Sequence, residues 1–406
     1  MKKRGIQPMV RPAALLALSA AAFAGDFLPM TPIGSDCLPV SVTIEGDRDY
    51  TRPALEQLEA DIDFSGLLIT SHDADAGISA RIEESGSRLR ITADVTAGGE
   101  VLLTREYTAS SNDLYTMVHA LADDAVFALT GENGIASCRI AFVLRTSDGY
   151  SLACRGFDPR GYSALLRDTS VITTPAWSPD GSTIAFTSFR SDNGDLYAYD
   201  VAEARARRLL SRQGLNTTPC WTPDGASIAI SASAEGNAEI FLYSTGSGSV
   251  SRLTARSSIE TSPAVSPTGQ QVAFTSDRAG SPQIYVMDIT GSGAARLNYA
   301  HGYCDSPAWS PRGDQIAYAA RAGGAIHIFV CRADGSEVRQ VTFEGSLNED
   351  PAWGPTGRHL AFSSNMDGRR AVYVVELNSL AVKRLTDSGE CYCPTWSPAR
   401  ASQAAD

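Results

Sequence analysis

The fold is decided by the stretch Pro175-Ala176-Trp177-Ser178-Pro179-Asp180-Gly181-Ser182-Thr183-Ile184-Ala185-Phe186, because its closing triplet recurs along the chain. Six such triplets begin at a constant interval of 44 residues. They are Ile140-Ala141-Phe142, Ile184-Ala185-Phe186, Ile228-Ala229-Ile230, Val272-Ala273-Phe274, Ile316-Ala317-Tyr318 and Leu360-Ala361-Phe362. A period near 44 residues with strand-like content is typical of the blades of a β-propeller.

A turn precedes each of the last five triplets. The turns are Ser178-Pro179-Asp180-Gly181, Thr222-Pro223-Asp224-Gly225, Ser266-Pro267-Thr268-Gly269, Ser310-Pro311-Arg312-Gly313 and Gly354-Pro355-Thr356-Gly357. Four tryptophans stand directly before these turns, at Trp177, Trp221, Trp309 and Trp353, and Val265 stands before the remaining one. The fifth tryptophan, Trp396, precedes a similar Ser397-Pro398 start. We expect these large side chains to pack between blades.

Each repeat is predicted to contain four strands. In the repeat quoted above, the proline fixes one φ of the turn and the glycine accepts a positive one. The strands are expected at residues 175–177, 183–188, 196–201 and 207–210, because these runs are short, apolar and rich in β-branched residues. The third strand recurs at Ile240–Tyr243, Ile284–Met287, Ile326–Val330 and Val372–Val375.

The two ends of the repeat region complement each other. The first triplet, at Ile140, has no tryptophan strand before it, and the last tryptophan strand, Pro394-Thr395-Trp396-Ser397-Pro398, has no triplet after it. Together they make one complete blade. We therefore predict a six-bladed, all-β propeller over residues 134–406, closed by its C-terminal strand, and such closure removes free sheet edges.

Residues 1–24 read as a secretory signal peptide. Lys2, Lys3, Arg4 and Arg11 are basic, and the apolar run Ala13–Phe23 is too short to span a bilayer. Ala22-Phe23-Ala24 is a small-x-small cleavage site. We expect export, cleavage near Ala24 and no direct membrane insertion, since no other stretch is apolar enough.

The charge of the chain excludes some partners. Loss of the four basic residues of the signal, with no acidic one, changes the formal charge from −12 to −16. Nucleic-acid binding needs a basic surface, so no nucleic acid is expected. The eight cysteines favour some disulfides in an oxidising compartment, but their pairing is not deducible. They are Cys37, Cys138, Cys154, Cys220, Cys304, Cys331, Cys391 and Cys393.

Residues 38–133 lack the repeat and predict a separate α/β domain, so that an α+β domain precedes the propeller. Strands are expected at 38–44, 78–82, 89–95 and 101–107, because these runs alternate. A first helix is predicted to start at Thr51, as its cap, and to end at Ser65-Gly66. Ser111-Asn112-Asp113 is predicted to cap a second helix that Gly131 ends. Residues 25–37 form a short N-terminal arm before this domain.

The chain resembles the TolB family in several motifs. The strongest is the junction Leu129-Thr130-Gly131-Glu132-Asn133-Gly134-Ile135-Ala136-Ser137-Cys138-Arg139-Ile140-Ala141-Phe142-Val143. Four further segments resemble the same family. They are the end of the first predicted helix (58–67), the tryptophan motifs of two repeats (306–311 and 348–353) and the closing strand (394–398). The resemblance runs from about residue 38 to the end, whereas the short arm and the cysteine content depart from the family's pattern.

The resemblance implies a non-enzymatic, monomeric protein of the periplasm that belongs to the Tol–Pal envelope system and needs no cofactor. It implies that the propeller mouth binds the lipoprotein Pal and that the N-terminal arm, with Asp26, Phe27 and Leu28, binds TolA. The system supports outer-membrane integrity and cell division. The residues that match the family's Pal site lie three to six positions before each blade tryptophan: Asn216, Thr217, Thr218, Glu260, Thr261, Ser262, Tyr303, Asp305, Ser306, Asn348, Glu349 and Asp350.

Two other interpretations remain open. Ser, Thr, Asn and Asp are common turn residues, so each of these positions could serve only the local fold. A propeller enzyme, of the polysaccharide lyase or lactonase type, would hold a metal in the channel, and Glu260, Asp305, Glu349 and Asp350 lie near that mouth. The five histidines show no paired ligand spacing, and no Gly-x-Ser-x-Gly elbow of a hydrolase is present.

Overall fold

A computed structural model describes residues 37–400 and confirms the predicted architecture. The predicted signal peptide, the arm up to Asp36 and the last six residues lie outside the described part. Within it, an α+β domain precedes a propeller of six four-stranded sheets. No helix among residues 37–400 combines the length and apolar character needed to cross a membrane.

The N-terminal domain is a five-stranded sheet with two helices packed against it. Its strands run in the order β2-β1-β3-β4-β5, where β1 is parallel to β2 and β3 and the other pairs are antiparallel. Alternate residues of β3 and β4 are buried beneath the helices, as a one-sided sheet requires. The elements are β1 (Leu38–Gly46), α1 (Arg48–Phe64), β2 (Leu68–Thr70), β3 (Ala76–Ser85), β4 (Arg88–Ala97), β5 (Glu100–Ser110) and α2 (Leu114–Thr130).

The helix starts differ from the prediction. The cap of α1 is Asp47, whose carboxylate accepts a hydrogen bond from the Asp49 amide at 2.9 Å. Thr51 therefore lies inside the helix, because a better acceptor stands one turn earlier. A 3-10 turn over Ser111–Asp113 leads into α2 without a side-chain cap. The helix ends are as predicted, with Gly131 at φ +74° after α2.

The propeller blades are numbered from the one that contains both ends. Every blade pairs its strands in antiparallel order, and all eighteen residues of the six triplets are completely buried. Blade 1 is β29 (Glu390–Trp396), β6 (Ile140–Thr146), β7 (Gly149–Arg155) and β8 (Tyr162–Asp168); blade 2 is β9 (Ile172–Trp177), β10 (Thr183–Ser188), β11 (Asp195–Asp200) and β12 (Arg205–Leu210); blade 3 is β13 (Asn216–Trp221), β14 (Ser227–Ala232), β15 (Glu239–Ser244) and β16 (Val250–Arg252).

The remaining three blades repeat this plan. Blade 4 is β17 (Glu260–Val265), β18 (Gln271–Ser276), β19 (Gln283–Asp288) and β20 (Ala295–Arg296); blade 5 is β21 (Cys304–Trp309), β22 (Gln315–Ala322), β23 (Ala325–Arg332) and β24 (Arg339–Gln340); blade 6 is β25 (Asn348–Trp353), β26 (His359–Ser364), β27 (Ala371–Glu376) and β28 (Val382–Arg384). The closure is as predicted, because β29 pairs with β6 from Glu390 opposite Arg145 to Trp396 opposite Ile140.

The tryptophans join neighbouring blades. The indole N–H of Trp221, Trp353 and Trp396 donates to a backbone carbonyl in the first strand of the preceding blade, at 3.0–3.1 Å. Each acceptor lies 44 or 45 residues earlier in the chain. One repeat in the sequence therefore corresponds to one blade. Each of these indoles fills the space between two blades and, through its hydrogen bond, fixes how the two blades are aligned.

The N-terminal domain covers part of one end of the propeller, the end formed by the Pro-Gly turns. The Glu132 carboxylate forms ion pairs with Arg312 and Arg358, at 2.7 and 2.8 Å, in the turns of blades 5 and 6. The last residue of α1, Phe64, contacts the rings of Phe157 and His359 at centroid distances of 5.2 and 4.8 Å. We call this the covered end, and the opposite end the mouth.

The expected disulfides are wrong for the seven cysteines from Cys138 to Cys393, none of which forms one. All seven are free thiols, and burial raises the pKa of the Cys154 and Cys391 thiols to about 11. Such thiols stay protonated at neutral pH and act as small apolar side chains.

Candidate functional site at the propeller mouth

A ring of six X-Pro dipeptides lines the mouth. Each blade contributes one dipeptide from its first strand, and together they enclose a cavity of about 160 Å³. The first strands are therefore the innermost strands of the blades. The dipeptides are Thr174-Pro175, Thr218-Pro219, Ser262-Pro263, Ser306-Pro307, Asp350-Pro351 and Cys393-Pro394.

The residue before each proline has an unusual backbone conformation. All six have a positive φ between +48° and +54° although none is glycine. Such conformations are uncommon for side-chain-bearing residues and cost of order 1–3 kcal/mol each. They coincide with the irregular pairing that every first strand shows with its second strand. The ring is thus a repeated, strained feature that packing of the six blades maintains.

Side chains of the ring are held in place by the second strands. Thr218 Oγ1 shares a hydrogen bond of 2.7 Å with Ser231 Oγ in blade 3. The Asp350 carboxylate accepts a hydrogen bond from Ser363 Oγ at 3.1 Å, and the backbone N–H of Cys393 donates to Ser363 Oγ at 3.0 Å. These contacts orient the polar groups of the mouth before any partner arrives.

Three of the predicted site residues are buried. Asn216, Glu260 and Asn348 are fully inaccessible, and each stands at the first position of its strand. The amides of Asn216 and Asn348 donate to backbone carbonyls of the adjoining loops. Glu260 accepts from Ser276 and forms an ion pair with Arg278. In this conformation these residues shape the loops and do not reach a partner directly.

The other predicted residues come together at the mouth. Thr218, Ser262, Ser306 and Asp350 line the cavity itself. The residues one position earlier in blades 3, 4, 5 and 6 lie opposite equivalent residues of the second strands. These are Thr217, Thr261, Asp305 and Glu349, all partly exposed. The 44-residue register therefore places them in one ring around the cavity.

Acidic groups gather on the side of blades 5 and 6. Asp305 accepts a hydrogen bond from Thr275 of blade 4 at 2.7 Å, and Tyr303 donates to it at 3.3 Å. Burial, followed by the nearby Asp305 carboxylate, raises the pKa of Tyr303 to about 12. Burial also raises the pKa of Glu349, with Asp350 adding to the effect and Arg370 opposing it. The ring positions of blades 2, 3 and 4 carry hydroxyl groups instead, at Thr174, Thr218 and Ser262, so the ring is electrostatically uneven.

The structure adds residues that sequence reasoning missed. Thr174 and Cys393 complete the ring in blades 2 and 1. Val171, Leu215 and Ile259 stand immediately before the first strands of blades 2, 3 and 4, with 39%, 43% and 50% of their surfaces exposed. They are spaced by 44 residues, so a comparison of equivalent positions in the repeats would have identified them. We call these three residues the apolar rim.

The metal-centred interpretation finds no ligand set in the described part of the chain. Among residues 37–400, no group of three or more His, Cys, Asp or Glu side chains is arranged to hold a metal ion. Asp350 and Cys393 approach each other, with the thiol donating to the carboxylate at 3.5 Å. Burial raises the pKa of both groups, which opposes the anionic forms that ligate metals.

Comparison with known proteins decides the family. The family described as "TolB beta propeller domain" matches residues 126–400, which is more than half of the chain. The chain belongs to the TolB propeller family. The matched range contains the six triplets, the closing strand and the junction motif on which the resemblance of the sequence rests.

The sequence identity between this chain and individual TolB proteins is low, and the sequence alignments cover only part of each protein. The Tol-Pal system protein TolB of Legionella pneumophila (strain Corby) is 31% identical over 150 residues, covering 35% of this chain and 36% of that protein. The TolB of Polaromonas naphthalenivorans is 30% identical over 222 residues, covering 49% and 52%. These alignments span between a third and about half of the relatives. The crystal structure of TolB from Acinetobacter baumannii superposes with a TM-score of 0.80 at 24% identity, covering 89% of this chain and 97% of that one.

Proposed function

We propose that the chain is a non-enzymatic scaffold of a Tol–Pal envelope system that acts in the periplasm after cleavage near Ala24. Membership of the TolB propeller family supports this, and the similar proteins of Legionella and Polaromonas bear the name Tol-Pal system protein. The predicted signal peptide supports export. In this proposal the chain supports outer-membrane integrity and cell division through its contacts with other proteins.

The mouth is proposed to bind the folded lipoprotein Pal. The observation that carries this is the ring of six dipeptides, which forms a rigid cavity with polar groups already oriented. The apolar rim lies beside it on three consecutive blades. Protein interfaces combine an apolar part with a polar, hydrogen-bonding part, and a few contacts dominate the affinity.

Binding of Pal can be tested with two substitutions on different blades. Thr261→Arg and Glu349→Arg place bulky cations at equivalent, partly exposed positions two blades apart. We expect the double variant to bind purified Pal at least ten-fold more weakly, a loss of about 1.4 kcal/mol, while its thermal unfolding stays near that of the parent chain. The matched control is Gln270→Arg, which adds the same cation to an exposed position at the covered end.

Titration calorimetry and thermal melts should be run on all three proteins. If the folded double variant binds Pal as the parent does, the mouth is not the Pal site. Metal analysis of the purified protein belongs to the same experiment. A stoichiometric transition metal together with hydrolytic activity would contradict the scaffold proposal and support the enzyme alternative.

The N-terminal arm is proposed to bind TolA through Asp26, Phe27 and Leu28, which lie outside the described residues. This proposal rests on the family resemblance alone. A mature chain that begins at residue 38 should lose TolA binding and retain Pal binding, because the arm and the mouth are separate segments. Loss of both activities, or of neither, would contradict this assignment.

A further inference from the structure

A second cavity lies between the two domains and is not part of the mouth. Its volume is about 480 Å³, which is within the usual range for small-molecule sites. Helix α2 contributes Thr116 and His119, and the propeller side contributes the connector at 136–139, the end of β7 and the loop before β8. We call it the junction cleft. It includes Ser137-Cys138-Arg139, the part of the junction motif that the proposed function does not use.

The charges that line the junction cleft are mostly positive. Arg139, Arg155, Arg160 and His119 are present with a single carboxylate, Asp158. His119 is nearly inaccessible and lies between two carboxylates, with Nδ1 at 2.6 Å from Asp61 and Nε2 at 3.5 Å from Asp158. Burial alone would lower the pKa of His119, but the hydrogen bonds and charges of Asp158 and Asp61 raise it to about 9. A concentration of cations is unusual in a chain of formal charge −12.

Some hydrogen-bond donors of these cations lack an acceptor. Arg155 Nε is buried and has no hydrogen-bond partner within residues 37–400, although Nη1 of the same side chain reaches the exposed Asp387 at 3.2 Å. His119 Nε2 is likewise buried, and its contact with Asp158, at 3.5 Å, is long and leaves the donor incompletely satisfied. Buried donors without acceptors cost free energy, and an anion in the cleft would relieve that cost.

The guanidinium of Arg139 is the most available cation. It takes part in none of the ion pairs between residues 37 and 400, and it donates a hydrogen bond to the weakly accepting Cys154 sulfur. Arg160, in contrast, binds Asp158 through two hydrogen bonds of 3.0 and 2.7 Å. Arg139 is therefore the cation without an ion pair, and Arg155, which pairs with the exposed Asp387, keeps an unpaired Nε donor. Both side chains belong to the propeller side of the cleft.

We propose that the junction cleft binds a small oxyanion, a phosphate or carboxylate group, through Arg139, Arg155 and His119. Guanidinium groups match the planar and tetrahedral geometry of such anions, and charge-assisted hydrogen bonds are among the strongest in proteins. Because His119 belongs to α2 and both arginines to the propeller, a bound anion would also join the two domains. This proposal is independent of the Tol–Pal role.

The test uses the full mature chain with two probes, inorganic phosphate and citrate, against sodium chloride at equal ionic strength. A ligand that binds only the folded state raises the melting temperature as its concentration increases. We expect at least one probe to raise it well above the chloride value and to titrate with one site per chain. Binding of phosphate alone assigns a phosphoryl ligand, and binding of citrate alone assigns a carboxylate.

Variants locate the site. Arg139→Gln should weaken the probe's affinity at least ten-fold, and Arg155→Gln serves if the first variant does not fold. The matched control is Arg167→Gln, which removes an arginine from a neighbouring cavity on β8 and should leave the affinity unchanged. No stabilisation beyond chloride, or equal stabilisation of the parent and both cleft variants, would overturn the proposal.

Discussion

The mouth and the covered end of the propeller are built on different principles. At the mouth, each blade repeats the same X-Pro geometry, and the six ring residues differ only in their side chains. At the covered end, the contacts with the N-terminal domain are individual ones, such as Glu132 with Arg358 and Phe64 with His359. Repetition yields a symmetric socket for a partner, whereas single contacts fix one domain in one orientation.

Two histidines show how specific the covered end is. His119 lies between two carboxylates, which raise its pKa to about 9. Burial lowers the pKa of His359 to about 4, and its Nε2–H donates to the Phe64 carbonyl at 2.8 Å. One imidazole is thus charged and the other neutral at pH 7, although both connect the same two domains. The environment of each residue, and not its type, determines its role.

Removal of residues 394–406 should have the largest effect, because β29 contributes to both ends. Its Cys393-Pro394 dipeptide belongs to the ring, and Trp396 contacts Phe157 and His359 near the covered end. Loss of a buried tryptophan alone costs about 3–5 kcal/mol, against a domain stability of about 5–15 kcal/mol. We expect broad loss of folded structure by circular dichroism and thermal melting.

Single tryptophan variants show how much of the stability loss on truncation comes from Trp396. Trp396→Ala should destabilise the propeller more than Trp309→Ala, since Trp309 is partly exposed and its indole N–H has no acceptor within residues 37–400. A truncated chain that melts at the temperature of the complete chain would show that blade 1 closes without β29.

The two histidines of the covered end should give the free energy of unfolding a maximum as a function of pH. The pKa of His119 rises from 6.5 to about 9 on folding, so its contribution is complete below pH 6.5 and is lost as the pH rises through 9. The pKa of His359 falls to about 4, so stability decreases as the pH falls from 6.5 towards 4. Each difference corresponds to about 3 kcal/mol. Stability should therefore be greatest near pH 6.5.

Substitution of each histidine separates its contribution to the pH dependence of the free energy of unfolding. His119→Gln should flatten the stability profile between pH 6.5 and 9, and His359→Gln should flatten it between pH 4 and 6.5. Denaturant titrations across this range measure both effects, and His72→Gln, at an exposed position, is the matched control. Parallel profiles for all three variants would show that these imidazoles do not respond to folding as the structure indicates.

The apolar rim should give the smallest stability effect. Leu215→Ser and Ile259→Ser change exposed side chains, so the free energy of unfolding should shift by no more than about 0.5 kcal/mol. Affinity for Pal should nevertheless fall several-fold if the mouth is its site. Val382→Ser, which removes an equally exposed residue from the outer strand β28, controls for surface polarity. Equal affinities for rim and control variants would remove the rim from the proposed interface.

Sequence reasoning succeeded where the chain repeats. The six triplets predict six blades, and the unmatched ends at Ile140 and Trp396 predict the closing strand, because periodic burial leaves a periodic apolar pattern. The three-residue strand β2 and the Asp47 cap were missed, since so short a strand and a cap without a periodic run leave little pattern. The contacts of the covered end with the N-terminal domain do not recur from blade to blade, so they could not be predicted.

The candidate site was only partly predictable for the same reason. Thr218, Ser262, Ser306 and Asp350 were found through the register of the tryptophans. Thr174 and Cys393 were missed, because the shared property of the ring is a positive φ before proline, which no single residue type signals. The burial of Asn216, Glu260 and Asn348 was also not evident, since polar loop residues are normally exposed and these fold inward to bind backbone carbonyls or an arginine.

The closing strand has a consequence for biosynthesis. Arg145 and Glu390, which face each other in blade 1, are 245 residues apart in the chain. At roughly 5–20 residues per second, β6 emerges from the ribosome roughly 12–50 s before its partner. Throughout that interval one edge of an apolar sheet is unpaired and open to association with other chains. A chaperone acting on this protein should therefore recognise β6 and release it only when β29 has been made.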